Sequence, residues 1–193
     1  MNIVFAIPGF STDRSSAEGK LVRKTISQCA NQVGSVKLLP SAAVFGIDEA
    51  FRPRTSDRTN AVALEALLRC LTNLDLIWLR FHPATPGLYD SGVYYARTLV
   101  WDTIPAMYRR GFGDCKSLAA CRVAELFRSG IWCRPVFRFK SRPNMTMYHI
   151  LLMFADGAWE CPSRILGMET YQENPEAQGM MHRTRAGFGL RLQ

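Results

Sequence analysis

The six cysteines of this 193-residue chain form no C-x-x-C pair, and none of its three histidines stands near a cysteine at zinc-ligand spacing. Zinc-finger and dithiol redox chemistry are thereby excluded, and a reduced protein with no metal and no cofactor is expected. The opening Met1-Asn2-Ile3-Val4-Phe5-Ala6-Ile7-Pro8 has no basic leader, and its apolar run is too short for a signal peptide or a membrane span. A cytoplasmic protein without a membrane partner is expected. The chain also lacks internal repeats, low-complexity runs, glycine-aromatic RNA signatures and a recognition-helix motif. Nucleic acid is therefore not the expected partner, although the formal charge is +8.

Much of that charge is local. Residues 101–143 hold nine Lys/Arg against Asp102, Asp114 and Glu125. The charges are spread through helix and strand patterns, as on a solvated basic face, and charge alone governs solubility and nonspecific attraction. With 48% apolar and 21% charged residues, the composition is that of an ordinary globular chain. This length buries roughly 70% of the unfolded surface without disulfide or metal staples.

Hydrophobic periodicity predicts a strand at 2–7 and a helix at 15–33, with Val22, Ile26, Cys29 and Val33 on one face and Gly34 as its stop. A short extended piece follows at 36–39, and the proline-containing basic stretch 51–58 reads as a linker. An almost wholly apolar, central helix is expected at 61–71, with Asn60 as N-cap and the theme continuing at 74–79; His82-Pro83 ends it. Residues 93–95 look extended, and Asp102-Thr103-Ile104-Pro105 opens a short helix. Three segments are expected: an N-terminal α/β extension at 1–58, a core at 59–169 and a polar tail at 170–193, together one compact domain.

Gly113-Asp114-Cys115 starts the next helix, 115–129, with Asp114 as cap, Gly130 as stop and Leu118, Ala119, Val123 and Leu126 on its buried stripe. A thiol with an ordinary pKa near about 8.5 is a poor nucleophile, and a helix N-terminus or a neighbouring imidazolium lowers that value. The backbone N–H groups at Gly113, Asp114 and Cys115 are candidates for holding an oxyanion. A half-buried strand at 131–139 carries Pro135, which favours a sheet edge. A hairpin of 147–154 with 159–161, turning on Asp156-Gly157, then carries His149 inside an otherwise apolar strand. Its expected partner is the Cys115 thiol. His82 reads as structural, Cys121 and Cys133 as small core residues, and Trp101, Trp132 and Trp159 as core or cleft wall.

These motifs, with Leu79-Arg80-Phe81-His82-Pro83, Ser91-Gly92-Val93, Tyr148-His149 and Pro162-Ser163-Arg164-Ile165-Leu166-Gly167-Met168, resemble the transglutaminase-like superfamily with its papain-like cysteine protease core. They resemble in particular the compact transglutaminase-like proteins of tailed bacteriophages and prophages. The resemblance covers about 61–168. It implies an α+β fold in which the nucleophile-bearing helix packs on an antiparallel sheet, with Cys115 as nucleophile and His149 as base.

The family's third member, an aspartate that orients the histidine, falls on Cys161, and a cysteine lacks that fixed negative charge. The acidic residues that usually follow the nucleophile are replaced by Lys116 and Ser117. If Asp156-Gly157 is a two-residue turn, Met153 pairs with Glu160 and Glu160 shares the His149 face, making it the substitute carboxylate on parity. Two functions stay open. One is a thiol acyl transferase or cysteine hydrolase acting on an amide or isopeptide bond of a protein or peptide, in the cytoplasm of a bacterial host. The other is a catalytically degenerate phage virion or interaction protein docked on a virion or host protein. A chain with neither disulfide nor metal is expected to keep its thermal midpoint in excess dithiothreitol and EDTA; a fall of several degrees by scanning calorimetry would contradict that reading.

Overall fold

The computed structural model of the protein describes residues 2–47, 57–142 and 145–168. It is a mixed α/β fold with helices packed against sheets. Strand β1 (Asn2–Ala6) leads to α1 (Ala17–Val33), β2 (Gly34–Leu39), β3 (Ala42–Ile47) and α2 (Asp57–Phe81). After a 3-10 turn at Leu88–Asp90 come β4 (Tyr94–Tyr95), β5 (Trp101–Asp102), α3 (Ile104–Arg110), β6 (Phe112–Gly113) and α4 (Cys115–Arg128). The chain continues through β7 (Cys133–Arg142), β8 (Met145–Phe154), β9 (Trp159–Glu160) and α5 (Pro162–Ile165). The sheets run β2-β3-β1-β5, β4-β6 and β7-β8-β9.

Helix α1 starts where Ser16 Oγ accepts the Gly19 N–H at 3.0 Å, satisfying one donor of the first turn. It ends at Gly34, whose φ of 140° suits a residue without Cβ. Its expected face, Val22, Ile26, Cys29 and Val33, is buried, with Ala30 beside it. Strand β3 was not expected: its residues Ala42-Ala43-Val44-Phe45-Gly46-Ile47 are apolar or small on both faces, so no alternation marks it. Helix α2 is one continuous element, and Asn60 lies inside it rather than at its cap. The proposed linker 51–58 falls mostly outside the described residues, with Asp57 and Arg58 opening α2; the tail 170–193 lies outside them altogether.

The N-terminal segment is tied to the rest by hydrogen bonds as well as packing. β1 pairs in parallel with β5, setting Phe5 against Trp101, and their rings stack at 5.3 Å. One apolar cluster joins Phe5, Ile26 and Phe45 to Leu67 and Leu71 of α2, Ala119 and Val123 of α4, and Ile150 and Leu152 of β8. Alanines 119, 120 and 124 bring α4 close to its neighbours, and each fully buried Leu or Ile in the cluster contributes about 1.5–3 kcal/mol.

Proline 135 lies on β7, an edge strand, where its missing N–H costs no ladder bond on the outer side. In the β7-β8-β9 sheet, Ile150 and Leu152 point into the core, so His149, Leu151 and Met153 point the other way.

The short helix α3 is held by Asp75, a fully buried side chain on α2 whose Oδ1 accepts the Ile104 N–H at 2.7 Å. Its Oδ2 is buried with no hydrogen-bond partner among the described residues. Burial pushes the Asp75 carboxyl well above the usual range, and the charges of Glu125 and Asp102 add to this, favouring the neutral acid. A raised folded pKa means that the native state binds this proton more tightly than the unfolded chain. Its contribution to stability is therefore greatest below about pH 4 and declines as pH rises towards the folded value. Asp75→Asn keeps an acceptor for Ile104 and is expected to flatten that decline, whereas Asp75→Ala is expected to cost ~1–3 kcal/mol, both read from urea midpoints across pH.

Candidate active site

Cys115 is the first residue of α4, so its own N–H and those of the next two residues have no partner within the helix. The approach is set by two glycines with different tasks. Gly111 ends α3 with φ 81°, a left-handed turn. Gly113 is needed for space, because a Cβ there would lie 2.6 Å from Met107 Sδ. Gly113 also pairs with Tyr95 across β6 and β4, and its carbonyl accepts the Ala96 N–H at 2.9 Å.

The backbone N–H groups of Lys116 and of Ile150 on β8 act on the Cys115 sulfur and favour its thiolate. The second of these follows from strand pairing. β9 pairs only Leu152 with Glu160 and Met153 with Trp159, while the Phe154 N–H bonds Ala158. In an antiparallel ladder, bonds to one neighbour recur at every second residue, so the N–H of 150 faces the same side, beyond the end of β9. That N–H is the one that acts on the sulfur.

His149 precedes Ile150, and its Nε2 lies 3.2 Å from the Cys161 Sγ. The register here differs from the expected one. The turn is the three-residue loop Ala155-Asp156-Gly157, with Gly157 at φ 87°, closed by the Phe154–Ala158 bond. One extra loop residue inverts the parity of β9. Glu160 therefore opposes Leu152, away from His149, and Cys161 falls on the His149 side. Asp156 is a turn residue, accepting the Ala158 N–H at 2.9 Å.

Glu160 has other partners. Its Oε1 accepts from Tyr89 Oη at 2.6 Å and from Arg122 Nε at 2.8 Å. Arg122 also reaches Glu125 at 3.2 Å, and Glu125 accepts the Leu88 N–H at 2.5 Å. This network ties α4 to β9 and to the turn at 88–90. Apart from the i,i+3 spacing of Arg122 and Glu125, no period or motif in the chain pairs these groups.

The electrostatics of Cys115 also depart from expectation. Burial, and next the neighbouring Asp114 charge, push the Cys115 thiol up to about 11; Lys116 and the two N–H groups oppose them without prevailing. Asp114 does not cap the helix with its side chain but pairs with Lys116, which also donates to the Thr98 carbonyl at 2.8 Å. Burial raises Asp114 as well. Nearby, burial pushes Asp102 up to about 6, despite its 2.8 Å pair with Arg110. The Tyr95 phenol is raised by burial and then by the Cys115 charge, a coupling that no sequence motif announced. At neutral pH the Cys115 thiol is therefore protonated, and a base would have to take its proton for the sulfur to act as a nucleophile.

The other sequence candidates fall elsewhere. The His82 ring stacks on Trp78 at 3.6 Å, and its Nε2 is 3.8 Å from Glu18. Cys121 and Cys133 are fully buried. Trp101 is core, whereas Trp132 and Trp159 are exposed. Among the described residues, no group of three His, Cys, Asp or Glu side chains is placed to hold a metal ion, and no helix is long and apolar enough to cross a membrane.

Removing the Asp114 charge deletes a cause of the high thiol pKa and frees Lys116 to act on the sulfur. Asp114→Asn is expected to shift the pH dependence of Cys115 alkylation to lower pH, and Lys116→Met to shift it higher. Site-resolved iodoacetamide labelling across pH checks both, and identical midpoints in all three proteins would contradict the assignment. No family model, curated protein or solved structure matches the chain.

Proposed function

We propose that the protein is a transglutaminase-like thiol acyl transferase or cysteine hydrolase with a papain-like core, acting on an amide or isopeptide bond of a protein or peptide. The observation that carries this reading is the meeting of three segments at one sheet edge. The Ile150 N–H acts on the Cys115 sulfur, and the adjacent His149 turns its Nε2 to Cys161 at 3.2 Å.

With Nε2 so engaged, Nδ1 is the ring atom assigned to the Cys115 proton. As the proton passes to Nδ1, the sulfur attacks the substrate carbonyl, and the oxyanion is met by the N–H groups that open α4. Collapse of the tetrahedral adduct breaks the C–N bond, and the imidazolium returns its proton to the leaving amine. The resulting thioester is then cleaved by water or by a second amine, with His149 again taking the proton. Hydrolysis and crosslinking differ only in that last acceptor.

A second reading rests on the buried, high-pKa state of Cys115 and on Cys161 in place of a carboxylate. It is a phage virion or interaction protein that keeps the fold with a degenerate site.

Incubation with an activated peptide ester at neutral pH is expected to add one acyl group to Cys115 by peptide mass mapping. His149→Ala is expected to slow this step by about 10²–10⁴-fold, the usual worth of a positioned base. Acylation at other cysteines, or at Cys115 with unchanged rate in His149→Ala, would leave only the second reading.

A further inference from the structure

Cys161 occupies a more elaborate setting than a small residue at a strand end requires. It is the N-cap of α5, and its carbonyl accepts the N–H groups of Arg164 at 3.1 Å and Ile165 at 3.2 Å. The last residue of that turn, Leu166, accepts the Tyr95 N–H at 2.7 Å. Tyr95 in turn pairs with Gly113, two residues before the nucleophile. The segment carrying Cys161 and the segment carrying Cys115 are thus bolted to the same residue of β4, while β9 fixes Cys161 beside His149. Met168 closes the other end by donating to the Ser163 carbonyl at 2.8 Å.

The surroundings of the Cys161 sulfur are those of an acceptor. The N–H groups of Ser163 and Arg164 and the guanidinium groups of Arg164 and Arg138 draw its thiol pKa down, although burial outweighs them. A sulfur faced by backbone donors and cations meets a ring nitrogen best when that nitrogen brings the hydrogen. At 3.2 Å the contact is close for a nitrogen and a sulfur.

We infer that Cys161 is the positioning residue of this site: its sulfur accepts the Nε2–H of His149 and holds the neutral ring in the tautomer whose Nδ1 lone pair receives the Cys115 proton. This rests on the reading of Cys115 as nucleophile and His149 as base. It assigns to a neutral sulfur the orienting task for which a carboxylate is the stronger acceptor. Glu160 cannot perform it from the opposite face, where Tyr89 and Arg122 hold its carboxylate. A sulfur fixes the tautomer while stabilising the imidazolium less than a carboxylate would.

The test combines 15N NMR of the His149 ring with the rate of Cys115 acylation in Cys161→Ser, Cys161→Ala and Cys161→Asp. The wild-type neutral ring is expected to carry its proton on Nε2, and Cys161→Ala to give a mixture of tautomers with a roughly 10- to 100-fold slower rate, as when an orienting partner of a histidine is removed. Cys161→Asp is expected to restore the Nε2–H form and to move the lower inflection of the pH–rate profile upward. Cys161→Val, close to cysteine in volume but without an acceptor atom, replaces the alanine variant if that protein does not fold and is expected to show the same mixture and slowing, whereas Cys161→Ser is expected to retain the tautomer. An unchanged ring spectrum and unchanged rate in Cys161→Ala, with His149→Ala still impaired, would overturn the role of Cys161 alone. A ring that depends on Cys161 in a protein whose Cys115 is never acylated would support the positioning contact and overturn the catalytic reading beneath it.

Discussion

The geometry of the site depends on the parity of one hairpin. A sheet alternates its side chains with period two, so a single residue gained in the turn exchanges every position of the returning strand between faces. The three-residue loop at Ala155-Asp156-Gly157 makes that exchange, with Gly157 supplying the positive φ. Glu160 is sent to the α4 side, where Arg122 and Tyr89 bind it, and Cys161 is brought to the histidine. The same strand stops early enough to leave the Ile150 edge to the Cys115 sulfur. Register, rather than the identity of any single acid, decides which side chains can cooperate.

A second constraint is the concentration of buried acids along α4 and the elements packed on it. Asp75, Asp102, Asp114 and Glu125 are all buried residues. Three of them make structural hydrogen bonds or ion pairs, to Ile104, Arg110 and Leu88, while the fourth, Asp114, stands beside Cys115 and pairs with Lys116. Burial raises each of these carboxyls, and Asp114 helps to raise Cys115. A helix N-terminus lowers a thiol's pKa only when its partial charge exceeds the desolvation cost, and here it does not. In the proposed chemistry, such a thiol stays inert until substrate and base act together.

Much of this architecture was legible in the chain. The buried face of α1, the glycine stops, the break at His82-Pro83 and the edge placement of Pro135 each follow from local sterics or period, and each is found. The start of α4 at Cys115 and the position of His149 on a strand were also readable. What escaped depended on contacts distant in sequence or on one residue of loop length. Strand β3 is apolar on both faces, so its pairing with β1 and β2 leaves no alternating trace. Asn60 looked like a cap, but α2 begins earlier. The parity of β9 turned on whether Ala155 belonged to the strand or the loop, which Asp156-Gly157 by itself does not decide. The high pKa of Cys115 reflects its burial and the Asp114 charge, and depth is a property of the packed whole.

The most direct measurement of the central claim is the pH–rate profile of Cys115 acylation. If His149 takes the proton from a neutral thiol, the rate rises through the imidazole range, roughly pH 6–7, and levels off far below the thiol's own pKa of about 11. A rate that follows the thiolate fraction, climbing steadily to an inflection near about 11 and unchanged in His149→Ala, would contradict it.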